Sequence, residues 1–86
     1  MRLEPTPEGG FVIDAGDLGP LLELDPPRVP ELMREGRITS RFEQGEGEDE
    51  GRFRVTFLHD DIMVRLVVTA DGTVLQQSRV RGAPVG

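Results

Sequence analysis

Cysteine is absent from this 86-residue chain, as are lysine, tryptophan and tyrosine. Without cysteine there is no disulfide and no thiolate metal ligand. Without lysine there is no phosphate loop of the Walker type. One histidine, His59, cannot make a transition-metal site that needs two or more His or Cys ligands. Long hydrophobic runs are missing too: the longest apolar stretches are three or four residues, far short of a membrane span. The first residues, Met1-Arg2-Leu3-Glu4-Pro5-Thr6-Pro7-Glu8, contain no apolar signal region. A cytoplasmic location and no membrane partner are the expectations.

What is present is lean but globular. Hydrophobic residues make up 36% and charged residues 30%, which does not describe a disordered chain. The length predicts a single domain over 1–86 that buries roughly 60–70% of its unfolded surface. Phe11, Phe42, Phe53 and Phe57 are the only aromatics. The net charge is −6, and all ten bases are arginine. The charge is uneven, with 13 acids and 5 Arg in residues 1–50 against 3 acids and 5 Arg in residues 51–86. An acidic chain is a poor start for nucleic-acid binding, although a local basic face remains compatible with it.

Residues 1–10 carry Pro, Gly and Glu and read as an extended, frayed arm. Phe11-Val12-Ile13 reads as an edge strand. Two short helices are expected over 17–36. The first has Asp17 as N-cap, Pro20 in its first turn and a stripe of Leu18, Leu21 and Leu22. Asp25-Pro26-Pro27 ends it. The second starts between Pro27 and Pro30, turns Val29, Leu32 and Met33 inward, and stops at Gly36.

From Arg37 the apolar period changes to two. Ile38, Ser40 and Phe42 alternate with Arg37, Thr39 and Arg41; Phe53, Val55 and Phe57 with Arg52, Arg54 and Thr56; Val64, Leu66 and Val68 with Arg65 and Val67. Gly45 to Gly51 is an acidic loop. Asp60-Asp61 and Asp71-Gly72 each read as a two-residue hairpin loop. The first loop sets His59 opposite Ile62, Phe57 opposite Val64, Val55 opposite Leu66 and Phe53 opposite Val68. Every large apolar residue then falls on one side, an agreement that a one-residue slip would destroy. The second sets Leu75 opposite Val68 on the inner face. The expected class is α+β: a short helical hairpin packed on one face of a four-stranded antiparallel meander over 37–81, with Phe11 to Ile13 available as a fifth strand and residues 82–86 as a tail.

No constellation of residues supports catalysis. His59 beside Asp60 and Asp61 lacks both a nucleophile and an oxyanion hole, and it reads as a solvated turn residue. Glu46, Glu48, Asp49 and Glu50 lack the ligand ladder of a calcium loop. No enzyme, cofactor or metal is expected. One surface is unusual. Pairing Gln44 with Gly51 sets Glu43 opposite Arg52, Arg41 opposite Arg54, and Thr39 opposite Thr56, which in turn faces Arg65. Arg41, Arg54 and Arg65 then crowd the outer sheet face, where like charges in opposition are unfavourable. Either the three side chains splay into water, where salt screens them, or a compensating anion holds them, drawn from the acidic loop or from an acidic or phosphorylated partner that the planar guanidinium fork can hold. Leu58, Met63, Val67, Val74 and Val80 add apolar character to that face. A homodimer through it, or through the final edge strand, is the expected assembly.

Two resemblances accompany this reading. The stretch from Asp17-Leu18-Gly19-Pro20 through Arg34-Glu35-Gly36-Arg37-Ile38 resembles the helix-turn-helix of small excisionase-type DNA binders. That resemblance implies the alternative of a small DNA-binding regulator. Against it stand three prolines and Asp25 around the start of the second helix, together with Glu31 and Glu35, which repel phosphate. Across most of its length the chain is similar to a family of short bacterial proteins of unknown function. The similarity rests on Arg34 to Glu43, on Gly51-Arg52-Phe53-Arg54 and on Arg65-Leu66-Val67-Val68, and it implies no activity. A non-enzymatic protein- or anion-binding module is therefore the leading expectation.

Overall fold

The computed structural model describes residues 1–82. Strands β1 (Glu4–Pro5) and β2 (Phe11–Val12) form a small hairpin, followed by helices α1 (Ala15–Leu21) and α2 (Arg28–Arg34). Strands β3 (Thr39–Gln44), β4 (Arg52–His59), β5 (Ile62–Thr69) and β6 (Val74–Arg81) then pair antiparallel in sequential order. The fold is α+β, as the change of period at Arg37 implies. Of the tail expected over 82–86, residues 83–86 lie outside the described residues.

Helix α1 starts three residues earlier than expected. Its N-cap is Asp14, whose carboxylate accepts the Gly16 N–H at 2.6 Å, rather than Asp17. Pro20 consequently sits beyond the first turn. The helix closes with Glu23 at φ 60 and with Leu24 N–H donating to the Gly19 carbonyl at 2.8 Å. A side chain at Gly19 would meet the Leu24 carbonyl oxygen at 2.8 Å, so this tight return admits only glycine. Helix α2 begins at Arg28, which leaves Pro30 in its first turn, where the missing N–H has no intrahelical partner to lose. Gly36 ends it at φ 73, with Arg37 N–H reaching the Leu32 carbonyl at 2.8 Å. Val29 and Leu32 face inward as expected; Met33 does not, being 38% exposed.

Leu18, Leu22, Val29 and Leu32 from the helices join Ile38, Val55, Phe57, Ile62, Val64, Leu66 and Val68 in one core. The β4–β5 register is the expected one, from His59 opposite Ile62 to Phe53 opposite Val68. Asp60 takes φ 53 in that loop.

The β5–β6 turn differs. Thr69 N–H donates to the Thr73 carbonyl at 2.9 Å, so the loop has three residues, 70–72, with Gly72 at φ 91. Val74 therefore stands opposite Val68, and an irregularity at Leu75 restores the expected register from Val67 opposite Gln76 onward. Val74 packs on the core while Leu75 is 46% exposed, the reverse of the expectation for both.

The N-terminal segment is anchored rather than frayed. Leu3 is 1% exposed within the core, and its N–H donates to the Gly72 carbonyl at 2.8 Å. Arg2 bridges to Thr73 and donates to the Asp71 carbonyl at 3.3 Å. A β-carbon on Gly72 would overlap the Leu3 carbonyl oxygen, so positive φ and close approach together demand glycine there. Phe11 and Val12 pair with Pro5 and Glu4 and do not extend the main sheet. Instead the Phe11 ring lies on those of Phe42 and Phe53, with centroids at 5.9 and 5.5 Å. Phe42 shares the inner face with Val55 yet stays 44% exposed at the margin of this cover.

Candidate functional site

The outer sheet face is built in cross-strand rows, because directly opposed residues share a side. One row runs Arg41, Thr56, Arg65, Ser78. The next runs Glu43, Arg54, Val67, Gln76. On the other flank lies Thr39, Leu58, Met63, Val80. Arg41, Arg54 and Arg65 thus occupy one face, as their parity requires.

Their arrangement is not the expected one. Strand β3 is displaced by two residues relative to β4, so Gln44 stands opposite Phe53, not Gly51. The loop is longer than a tight hairpin: it closes with Gly45 N–H donating to the Arg52 carbonyl at 2.9 Å and contains a 3-10 turn at Gly47–Asp49. An even displacement keeps every side chain on its face but changes its partner. Arg41 now faces Thr56 rather than Arg54, and Thr39 faces Leu58. Arg54 faces Glu43, and their charged groups lie 4.0 Å apart. The like-charge opposition is thereby removed at Arg54.

Arg41 and Arg65 stand on either side of Thr56. Thr56 is only 7% exposed although its row faces away from the core. Among the described side chains, no carboxylate forms an ion pair with Arg41 or Arg65. The Arg65 side chain is half-buried along the sheet, with Nη2 4.0 Å from Met63 Sδ, and its Nε is shielded from solvent without a hydrogen-bond acceptor among the described residues. Beside this row an open depression of about 440 Å³ is lined by Glu43, Gln44, Glu46, Arg52, Arg54, Val67 and Gln76. Glu43 comes opposite Arg54 only through the true β3–β4 register, which the sequence pattern alone does not specify; Val67 and Gln76 follow from registers that the two hairpin loops already imply.

His59 is a buried histidine, not a solvated turn residue. It is 8% exposed; Nδ1–H donates to the Arg37 carbonyl at 3.0 Å, and Nε2 lies 3.5 Å from Asp60 Oδ2. It ties the start of β3 to the end of β4. Its inward position follows from pairing with Ile62, a parity already present in the sequence. Among the described residues no three His, Cys, Asp or Glu side chains converge as a metal site, and no helix is long and apolar enough to cross a membrane.

The fold and this face define a small α+β domain with an arginine-bearing antiparallel sheet. Residues 1–84 match a family described as a family of unknown function (DUF6522), and the chain belongs to that family. No curated protein and no solved structure matches it.

Proposed function

We propose that this chain is a non-enzymatic binding module whose outer sheet face receives carboxylate groups of an acidic protein segment between Arg41 and Arg65, with Arg54 at the border. The observation that carries this reading is the pair Arg41 and Arg65 on either side of Thr56, neither of which has an ion-pair partner among the described side chains. A guanidinium without an acceptor is costly when desolvated, and a carboxylate is the group its fork matches best. The stripe of Leu58, Met63 and Val80 beside the arginines supports a protein rather than a free ion as the ligand. A helix-turn-helix use of α2 has less support: Arg28 is tied to Glu31 at 3.2 Å, and Glu31 and Glu35 are exposed with it.

The test is titration of a polyglutamate peptide at low salt, followed by backbone amide NMR. Shifts are expected around Arg41, Thr56 and Arg65, with affinity falling as salt rises. Arg65→Gln and Arg41→Gln should each weaken binding by roughly tenfold, and Arg54→Gln by less because Glu43 already neutralises it. Equal binding by wild type and Arg65→Gln, or no shifts on this face, would overturn the reading.

A further inference from the structure

The two free edges of the main sheet are guarded very differently. On β6, Arg79 and Arg81 stand opposite Val64 and Ile62 and so project on the inner side. Both reach Glu23, with Arg79 at 3.9 Å and Arg81 closer still. Inward charges of this kind are a standard block against edge-to-edge pairing. Strand β3 has no such block. It contains neither proline nor lysine, its burial is slight, and among its inner-face residues is Phe42, an aromatic ring 44% exposed.

The hydrogen-bonding direction of this edge follows from one bond. Gly45 N–H donates to Arg52, so Gly45, Glu43, Arg41 and Thr39 turn their backbone groups toward β4. Ser40, Phe42 and Gln44 therefore turn theirs to the open side, where among the described residues none has a partner.

We propose that β3 is a homodimer edge, in which two copies pair antiparallel about a two-fold axis at Phe42 to make a continuous eight-stranded sheet. The sequence Ser40-Arg41-Phe42-Glu43-Gln44 is charge-complementary to its own reverse about that centre. Phe42 then opposes Phe42 of the partner subunit as a hydrogen-bonded pair, and Ser40 opposes Gln44 of the partner subunit. Arg41 opposes Glu43 of the partner subunit in the closer, non-hydrogen-bonded position, twice by symmetry. The adjacent registers that keep the faces aligned centre on Arg41 or on Glu43 and set like charges against each other, so charge alone selects Phe42. The same pairing joins two clusters of Phe11, Phe42 and Phe53 across the axis.

Sedimentation velocity over a wide concentration series tests this on the full chain. A reversible monomer–dimer equilibrium is expected. Arg41→Glu and Glu43→Arg should each weaken it by roughly tenfold or more, and the double swap should restore it, because it restores both charge pairs. Ser40→Pro removes an outward N–H and blocks the edge without altering the outer face, so it should abolish the dimer while leaving the circular dichroism spectrum unchanged. Val80→Arg, on the outer face of β6, should leave it intact. A monomer at every concentration, a dimer indifferent to Ser40→Pro, or a double swap as weak as its single members would each overturn the proposal.

Discussion

Two different devices cover the inner face of the sheet. The helix pair does so by repetition: Leu18, Leu22, Val29 and Leu32 recur at helical spacing, and each is at most 3% exposed. The N-terminal hairpin does so by anchorage. It has no repeating apolar pattern; a single leucine, Leu3, is fixed by a backbone bond to Gly72, and Phe11 leans on two other rings that remain partly open. A patterned cover is readable in one dimension. An anchored cover depends on a partner about seventy residues away and has no local signature.

The comparison can be broken by substitution, and the largest effect is expected beneath the helices. Phe57 is 5% exposed in the shared core, so Phe57→Ala should cost about 3–5 kcal/mol in a denaturant melt. A loss under about 1 kcal/mol would mean that the helices do not pack there. Leu3→Ala comes next, at about 2–4 kcal/mol, a value that belongs to a core leucine and not to a frayed arm. If urea midpoints of Leu3→Ala and wild type coincide, the anchorage is wrong. Phe42→Ala, measured at concentrations low enough to keep the chain monomeric, should cost only about 1 kcal/mol, since the ring is already half in water.

The smallest effect sharpens the picture at the anchor itself. Asp71 is held down to about 2 by hydrogen bonds from the Thr69 hydroxyl, then from the Thr73 side chain and backbone N–H, with Arg2 adding a little. Its folded value lies below the ordinary carboxylate value, so its contribution is present above about pH 4 and disappears as pH falls through 2. Asp71→Asn should therefore flatten the acid limb of stability against pH in that window. At neutral pH it should lower the melting temperature slightly. An acid limb identical in both proteins would remove Asp71 from the turn's stability.

The same contrast explains what was legible beforehand. The β4–β5 register was readable because a two-residue loop and apolar parity agree at each inner position from His59 opposite Ile62 to Phe53 opposite Val68. The β5–β6 register survived for a subtler reason: a three-residue loop and the irregularity at Leu75 offset one another, so only Val74 and Leu75 exchange places. The β3–β4 register was not readable, because nothing in the composition of the Gly45 to Gly51 loop announces its 3-10 turn. Since the displacement is even, the pattern puts Arg41, Arg54 and Arg65 on the right face; Arg65 faces Thr56 as expected, while Arg41 and Arg54 take other partners across β3–β4. For α1, Asp17 is expected as cap because it keeps Pro20 in the first turn; the helix instead starts from Asp14 and holds Pro20 in its interior.

The bond between Leu3 and Gly72 also has a kinetic meaning. The meander joins strands that are consecutive in the chain, so its loops close early and at little entropic cost. The Arg2–Asp71 contact spans a sequence separation of 69 and cannot repay its closure until the β5–β6 turn exists to receive it. The arm is therefore expected to dock last and to leave first. The energy lost in Leu3→Ala should accordingly appear in the unfolding limb of a chevron plot, with the refolding limb almost superimposed on that of the wild type.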